Sequence, residues 1–165
     1  MLATPSPLTE RMTLFWHGHF TSDFRKVNLQ TPFIYWQNLT WRQMSLGNLH
    51  DMLYQVTIDP GMLRYLDLAV STGKSPNENY SRELMELFSM GVGTFTEDDV
   101  RNGAKALSGW REPRTQAMID ADLKRQQMRT GQPTRNTPTA DTVKTGVYMA
   151  QRGYRGAPFA FLGET

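Results

Sequence analysis

Through the first 110 residues, apolar side chains recur at three- and four-residue intervals, the period of helices packed on one side. Residues 7–20 predict a first helix. Pro7 suits its opening turn, and Leu8, Met12, Phe15 and His19 form one stripe with Trp16 beside it. Residues 32–46 predict a second, rich in aromatics (Phe33, Tyr35, Trp36 and Trp41) and ended by Gly47. Asn48 is a candidate cap for a third, with Leu49, Met52, Leu53 and Val56 on its buried face. In IDPGML, Asp59 caps and Pro60 opens a restarted helix that turns Leu63, Leu66 and Val70 inward.

STGKSP (71–76) is a loop by composition. PNENYSRELMELFSMG (76–91) then predicts a helix whose core face carries Tyr80, Leu84, Leu87 and Phe88. Thr96 opens another, with Asp99 three residues on forming something close to a capping box. Glu97 and Asp98 fall in its first turn, where the helix dipole favours them, and Gly109 follows its end near Leu107. Strand signals are nearly absent up to Trp110. The fold class is therefore all-α, an array of about five to six short helices ahead of a polar, partly irregular C-terminal segment.

Three regions follow from these patterns. Residues 5–110 form the helical core. Residues 111–158 read as a polar linker or insertion, with a charged helix expected over 117–128, a Pro/Thr/Gly/Asn-rich stretch at 129–142 and a weak apolar patch at Val147–Met149. Residues 159–165 begin with a short apolar run that reads as the start of a C-terminal part cut short.

Composition narrows the class. The chain has 165 residues, 39% hydrophobic and 21% charged, enough for one domain with a real core. No apolar run approaches the roughly 18 residues of a membrane span, and no export signal begins at Met1. Cysteine is absent, which excludes disulfides and thiolate metal sites. The net charge of +2 conceals an asymmetry. Residues 1–110 carry 9 Lys/Arg against 11 Asp/Glu, and residues 111–165 carry 9 against 5. That basic tail has no dense Lys/Arg block and no basic–aromatic interleaving, so it reads as a solvated polar segment rather than a nucleic-acid footprint.

Candidate chemistry lies in two segments. In the 76–91 helix, Asn79, Arg82, Glu83, Glu86 and Met90 share a stripe, and Glu78–Arg82 and Arg82–Glu86 are i,i+4 pairs. The plain reading is a capped helix with exposed ion pairs. The sharper one is a Glu-x-x-Glu pair held by Arg82 for proton transfer or metal ligation. In FWHGHF (15–20), His17 and His19 are about 200° apart on a helix and cannot share one metal unless the chain breaks at Gly18. His19 with Glu83 and Glu86 would make an imidazole–carboxylate set for a divalent ion such as iron, manganese or zinc. No Walker-type phosphate loop, nucleophile elbow or Cys–His pair is present.

ERMTLFWHGHFTS, IDPGMLRYLD, PNENYSRELMELFSMGVGTFTEDDV and AKALSGW, in this order, closely resemble a large bacterial family known as domain of unknown function number eighteen hundred. The resemblance spans about residues 5–110, and FLG at 161–163 is similar to a further landmark that leads into a C-terminal helical part. It implies a mainly helical protein, longer members than this chain, and export or a periplasmic location. The family pattern coincides with His17, His19, Asn77, Glu78, Asn79, Arg82, Glu83, Glu86, Asp99 and Trp110, and brings no established activity with it. The chain departs from it by starting just before the Phe-Trp-His motif and by the polar stretch after Trp110.

Two functions follow as expectations. In one, the protein is an enzyme, metal-dependent in its sharper form. His17, His19, Arg82, Glu83 and Glu86 would be its catalytic set, Asn77, Glu78, Asn79 and Trp110 its binding residues, and His19, Glu83 and Glu86 its metal ligands. In the other, it is a non-catalytic binding or scaffolding module. The same polar residues then fix helix packing, and the aromatics of residues 33–41 meet a protein partner or the remainder of a longer chain.

Overall fold

The computed structural model of the chain describes residues 4–27, 32–132, 138–159 and 162. Its helices are α1 (Pro7–His19), α2 (Phe24–Val27), α3 (Phe33–Met44), α4 (Leu49–Ile58), α5 (Pro60–Tyr65), α6 (Asn79–Glu83), α7 (Glu97–Ala106) and α8 (Gln116–Thr130). Leu68–Val70 makes a 3-10 turn, and α6 runs on into a π-helical turn over Leu84–Ser89. Two short strands, β1 (Trp110–Arg111) and β2 (Val147–Tyr148), pair antiparallel with Trp110 opposite Tyr148. The protein is mainly helical, as its apolar periodicity predicts.

Local chemistry explains several boundaries. Asn48 accepts the Asp51 N–H at 2.8 Å and so starts α4. Thr96 and Asp99 close a full capping box at α7, with aspartate in the place where glutamate is favoured. Gly109, with φ of +102°, turns the chain from α7 into β1. The charged helix expected over 117–128 is α8, capped by Thr115 and ended by Gly131 in the left-handed region.

α5 lies at the centre, packed against α2, α3, α4, the 3-10 turn and β1. Its residues Pro60, Gly61, Met62 and Leu63 are all buried. Around them Phe20, Trp41, Met52, Val56, Leu66, Leu68, Tyr80 and Phe88 complete the main apolar cluster. Phe20 is its aromatic hub. It stacks on Trp16 at 5.4 Å and meets Trp41 and Phe88 edge-on at 5.9 and 5.3 Å.

A polar node is embedded in this apolar setting. Asp59, the N-cap of α5, is buried and accepts from Met62 N and from Gln37 Nε2, each at 2.8 Å. Gln37 in turn accepts the Ser22 hydroxyl at 2.8 Å. Beside it the fully buried Tyr80 hydroxyl donates to Thr57 at 3.0 Å. Each of these groups has a partner, which is what allows it to leave water.

The structure corrects several expected faces. On α1 the inward stripe is Thr9, Thr13, Trp16 and Phe20, one residue or about 100° round from the one expected. Leu8 and Phe15 are exposed. Thr13 tolerates burial because its hydroxyl bonds back to the Thr9 carbonyl at 2.7 Å, and the Trp16 indole N–H reaches the Ser45 carbonyl at 3.0 Å. In the 84–89 turn Met85 is buried and Leu87 is exposed, because the wider π turn advances the face by one residue. Leu49 and Val70 are exposed as well: Leu49 opens α4 ahead of its first buried turn, and Val70 ends a 3-10 turn whose tighter winding breaks the α-helical spacing from Leu66.

The weak apolar patch at 147–149 supplies β2, which the two-residue strand length concealed. The segment after Trp110 is stitched to the core through Gly146 N to Ile58 O at 2.6 Å and Arg152 Nη2 to Ala69 O at 2.8 Å. Asp141, in the Pro/Thr-rich stretch, takes both guanidinium nitrogens of Arg111, at 2.7 and 3.1 Å. Of FLG at 161–163, only Leu162 lies within the described residues.

Burial pushes the Asp59 carboxyl up to about 7 from its ordinary value of 3.8, against the bonds from Met62, Gln37 and Gly61. Between those values the folded state holds a proton that the unfolded chain has released. The contribution of Asp59 is therefore most favourable below pH 3.8 and is lost as pH rises to about 7. Asp59→Asn keeps the acceptor that caps α5 and removes the titration. In urea unfolding, wild type should lose stability relative to this variant from pH 4.5 to pH 8. A stability difference that is flat with pH would contradict the assignment.

Candidate functional site

The FWHGHF and PNENY…ELMELF segments meet, because the end of α1 packs on the π turn that extends α6. Gly18 does not break the helix; α1 runs regularly through His19. The two imidazoles therefore leave α1 on opposite sides and reach different elements. His17 Nε2 donates to Asn38 Oδ1 of α3 at 3.1 Å, with its ring 6.4 Å from Trp41. His19 Nε2 donates to the Phe88 carbonyl at 3.3 Å, and its ring lies among Phe15, Trp16, Phe20 and Phe88.

The physical reason for the second contact is the helix end. The last carbonyls of a helix have no partner within it, and they form the negative pole of its dipole. Phe88 belongs to that last turn, and a carbonyl can only accept. Nε2 of His19 must therefore carry a proton, which fixes its tautomer.

On α6 the motif residues divide. Asn77 Oδ1 accepts the Asn79 N–H at 2.9 Å, an Asx turn that starts the helix, while its own N–H donates to the buried Ser71 hydroxyl at 3.0 Å. Asn79 Nδ2 reaches the Leu66 carbonyl at 3.4 Å. Arg82 lies 3.5 Å from Glu78, the i,i+4 pair expected. Its main partner is Glu97 of α7, held bidentate at 2.8 and 2.7 Å. That hydrogen-bonded pairing holds Glu97 below the usual carboxylate range and keeps the guanidinium more firmly protonated.

The second expected pair, Arg82 with Glu86, does not form a contact: Arg82 turns to Glu97, which leaves Glu86 in its field only. Glu83 and Glu86 are half-buried and make no hydrogen bond or ion pair with a described residue. Neither is bonded to His17 or His19. Among the described residues no group of three or more His, Cys, Asp or Glu side chains is placed to hold a metal ion. Trp110 stands apart in β1, edge-on to Tyr148 at 5.4 Å and packed against the core. Asp99 does double duty in the capping box, also accepting the Leu162 N–H at 2.7 Å.

Partners that sequence reasoning missed are Asn38, Glu97, Gln37 and Ser22. Gln37 had a signal, since it interrupts the apolar stripe Phe33–Gln37–Trp41 at i,i+4 spacing. Phe33 and Trp41 are fully buried, so only Tyr35 and part of Trp36 remain of the aromatic surface expected there.

A family model described as "Protein of unknown function (DUF1800)" matches residues 1–157. The chain belongs to this family. The DUF1800 match runs past residue 110, through α8 and β2, and takes in both the histidine segment and the α6 segment. No curated protein and no solved structure matches the chain. Among the described residues no helix of this DUF1800 chain is long and apolar enough to cross a membrane.

The Arg82–Glu97 clasp joins α6 to α7 at the surface, where salt screens it. Arg82→Gln should lower the melting temperature slightly at low ionic strength and leave it unchanged at high salt. A loss that persists at high salt would show that Arg82 has a buried role.

Proposed function

We propose that this domain is a non-catalytic binding or scaffolding module in which the motif residues fix the packing of helices. The observation that carries the reading is the placement of the two histidines. Each commits its Nε2–H to a structural acceptor on a different element, Asn38 of α3 and the Phe88 carbonyl of the π turn. Asn77, Asn79 and Arg82 are committed in the same way, to a helix start, a loop carbonyl and a neighbouring helix. A general base or metal ligand needs a free lone pair directed at a reacting group; these contacts tie up Nε2 of each ring and orient it for packing, so Nδ1 is the nitrogen that an enzyme would have to use.

The enzyme reading keeps one observation in its favour. Glu83 and Glu86 are half-buried, sit three residues apart and have no bonded partner among the described residues. With a third ligand they would suit a hard divalent ion. That reading requires stoichiometric metal in purified protein, lost in Glu83→Gln.

The module reading makes a different demand. His17→Ala and His19→Ala should each lower the melting temperature by about 4–8 °C, from roughly 2 kcal/mol of lost hydrogen bonding and ring packing. In a double-mutant cycle, His17→Ala and Asn38→Ala should couple by about 1 kcal/mol. Unchanged melting temperatures in both histidine variants, or additive effects at His17 and Asn38, would overturn the reading.

A further inference from the structure

Residues 111–165 carry the chain's positive excess, which looks dilute along the sequence. The fold concentrates part of it. The turn at 72–75, closed by the Thr72–Ser75 bridge, lies against residues 151–156. Gly73 N donates to the Arg152 carbonyl at 2.7 Å. The approach is so close that a Cβ at Gly73 would fall 2.3 Å from the Gly153 carbonyl oxygen. Backbone contact therefore fixes Lys74 beside Arg152 and Arg155 around a cleft of about 680 Å³.

Among the described residues its lining holds three cations and no carboxylate. Several other basic residues are ion-paired. Arg111 is neutralised by Asp141, Arg64 by Glu112, and Arg125 by Asp122. Among the described residues Arg152 and Arg155 donate to carbonyls, those of Ala69 and Ala150, which orient a guanidinium without cancelling its charge. Lys74 has no partner among the described residues. The Thr72 hydroxyl accepts from Ser75 N and retains its proton to donate. Tyr154 also lines it, its ring meeting Phe159 edge-on at 5.5 Å with the Lys105 ammonium 5.7 Å from its centroid.

We propose that this cleft binds a small phosphate-bearing molecule, with Lys74, Arg152 and Arg155 around the phosphate and Tyr154 against the body of the ligand. Three uncompensated positive charges suit a group carrying close to two negative ones better than a lone carboxylate. A guanidinium whose remaining N–H groups are free is a bidentate donor to phosphate oxygens, and an ammonium beside it acts as a point charge. The assignment goes beyond the reading above and holds whether the histidine motif is structural or catalytic.

Calorimetric titration of the full chain tests it, with inorganic pyrophosphate and adenosine monophosphate as probes. Saturable one-site binding of at least one probe is expected. It should be about tenfold weaker in Lys74→Gln/Arg155→Gln and unchanged in Arg125→Gln. Lys74→Gln alone should weaken it by a smaller factor, and that side chain is exposed, so its fold is secure. If pyrophosphate and adenosine monophosphate bind equally, the site reads phosphate alone; if the nucleotide binds more tightly, Tyr154 contributes as assigned. No saturation by either probe, or affinity unaltered in both variants, would overturn the proposal. So would saturation by a single-stranded oligonucleotide alone, which would mark an extended polyanion track instead.

Discussion

Asp59 is the constraint on which the arrangement of helices depends. A carboxyl group at the α4–α5 junction is taken out of water, and the bonds it accepts tie separate parts of the fold together. Met62 N binds it to the first turn of α5, Gln37 to the middle of α3, and Gln37 passes the connection on to Ser22 beyond α1. Leaving one of these groups unpaired in the core would cost about 1–3 kcal/mol, so the three segments have little freedom to slide. Gly61 belongs to the same device, since a Cβ there would lie 3.0 Å from the Asp59 oxygen and 3.1 Å from Gln37 Nε2. With α5 held in this way, its apolar face becomes the surface on which α2, α3, α4 and β1 pack.

The histidine and α6 motifs read as a second layer of the same logic. His17 secures α1 to α3, and His19 secures α1 to the end of the helix that carries Tyr80 and Phe88. Tyr80 closes back on Thr57 of α4, next to Asp59. Polar side chains thus mark the places where helices end or cross, and aromatic rings fill the space between them. The basic cleft lies on another part of the surface, built by loops that the same packing holds together.

Much of the helical framework was legible in sequence because caps are local chemistry. Asn48, Asp59 and the Thr96–Asp99 pair each act within four residues of themselves, and each does what its residue type dictates. Faces were less legible. The stripe on α1 was displaced by one residue because Thr9 and Thr13 count as polar in any pattern, yet the buried Thr13 hydroxyl is satisfied within the helix, on the Thr9 carbonyl. The π turn shifted Leu87 outward, and only the tertiary environment shows why. Long-range partners were invisible for the same reason. Nothing near His17 in sequence points to Asn38, and nothing near Arg82 distinguishes Glu97 from the nearer Glu86.

Which nitrogen of the His19 ring carries the donated proton tests the central claim most directly, because a carbonyl acceptor requires a proton on Nε2. Nitrogen-15 NMR of histidine-labelled protein should show His19 with its proton on Nε2, slow to exchange with solvent. Its signals should remain unmoved when stoichiometric zinc or manganese is added. An unprotonated Nε2, or a His19 resonance shifted or broadened by one equivalent of metal, would contradict a structural role and return this residue to the chemistry of a site.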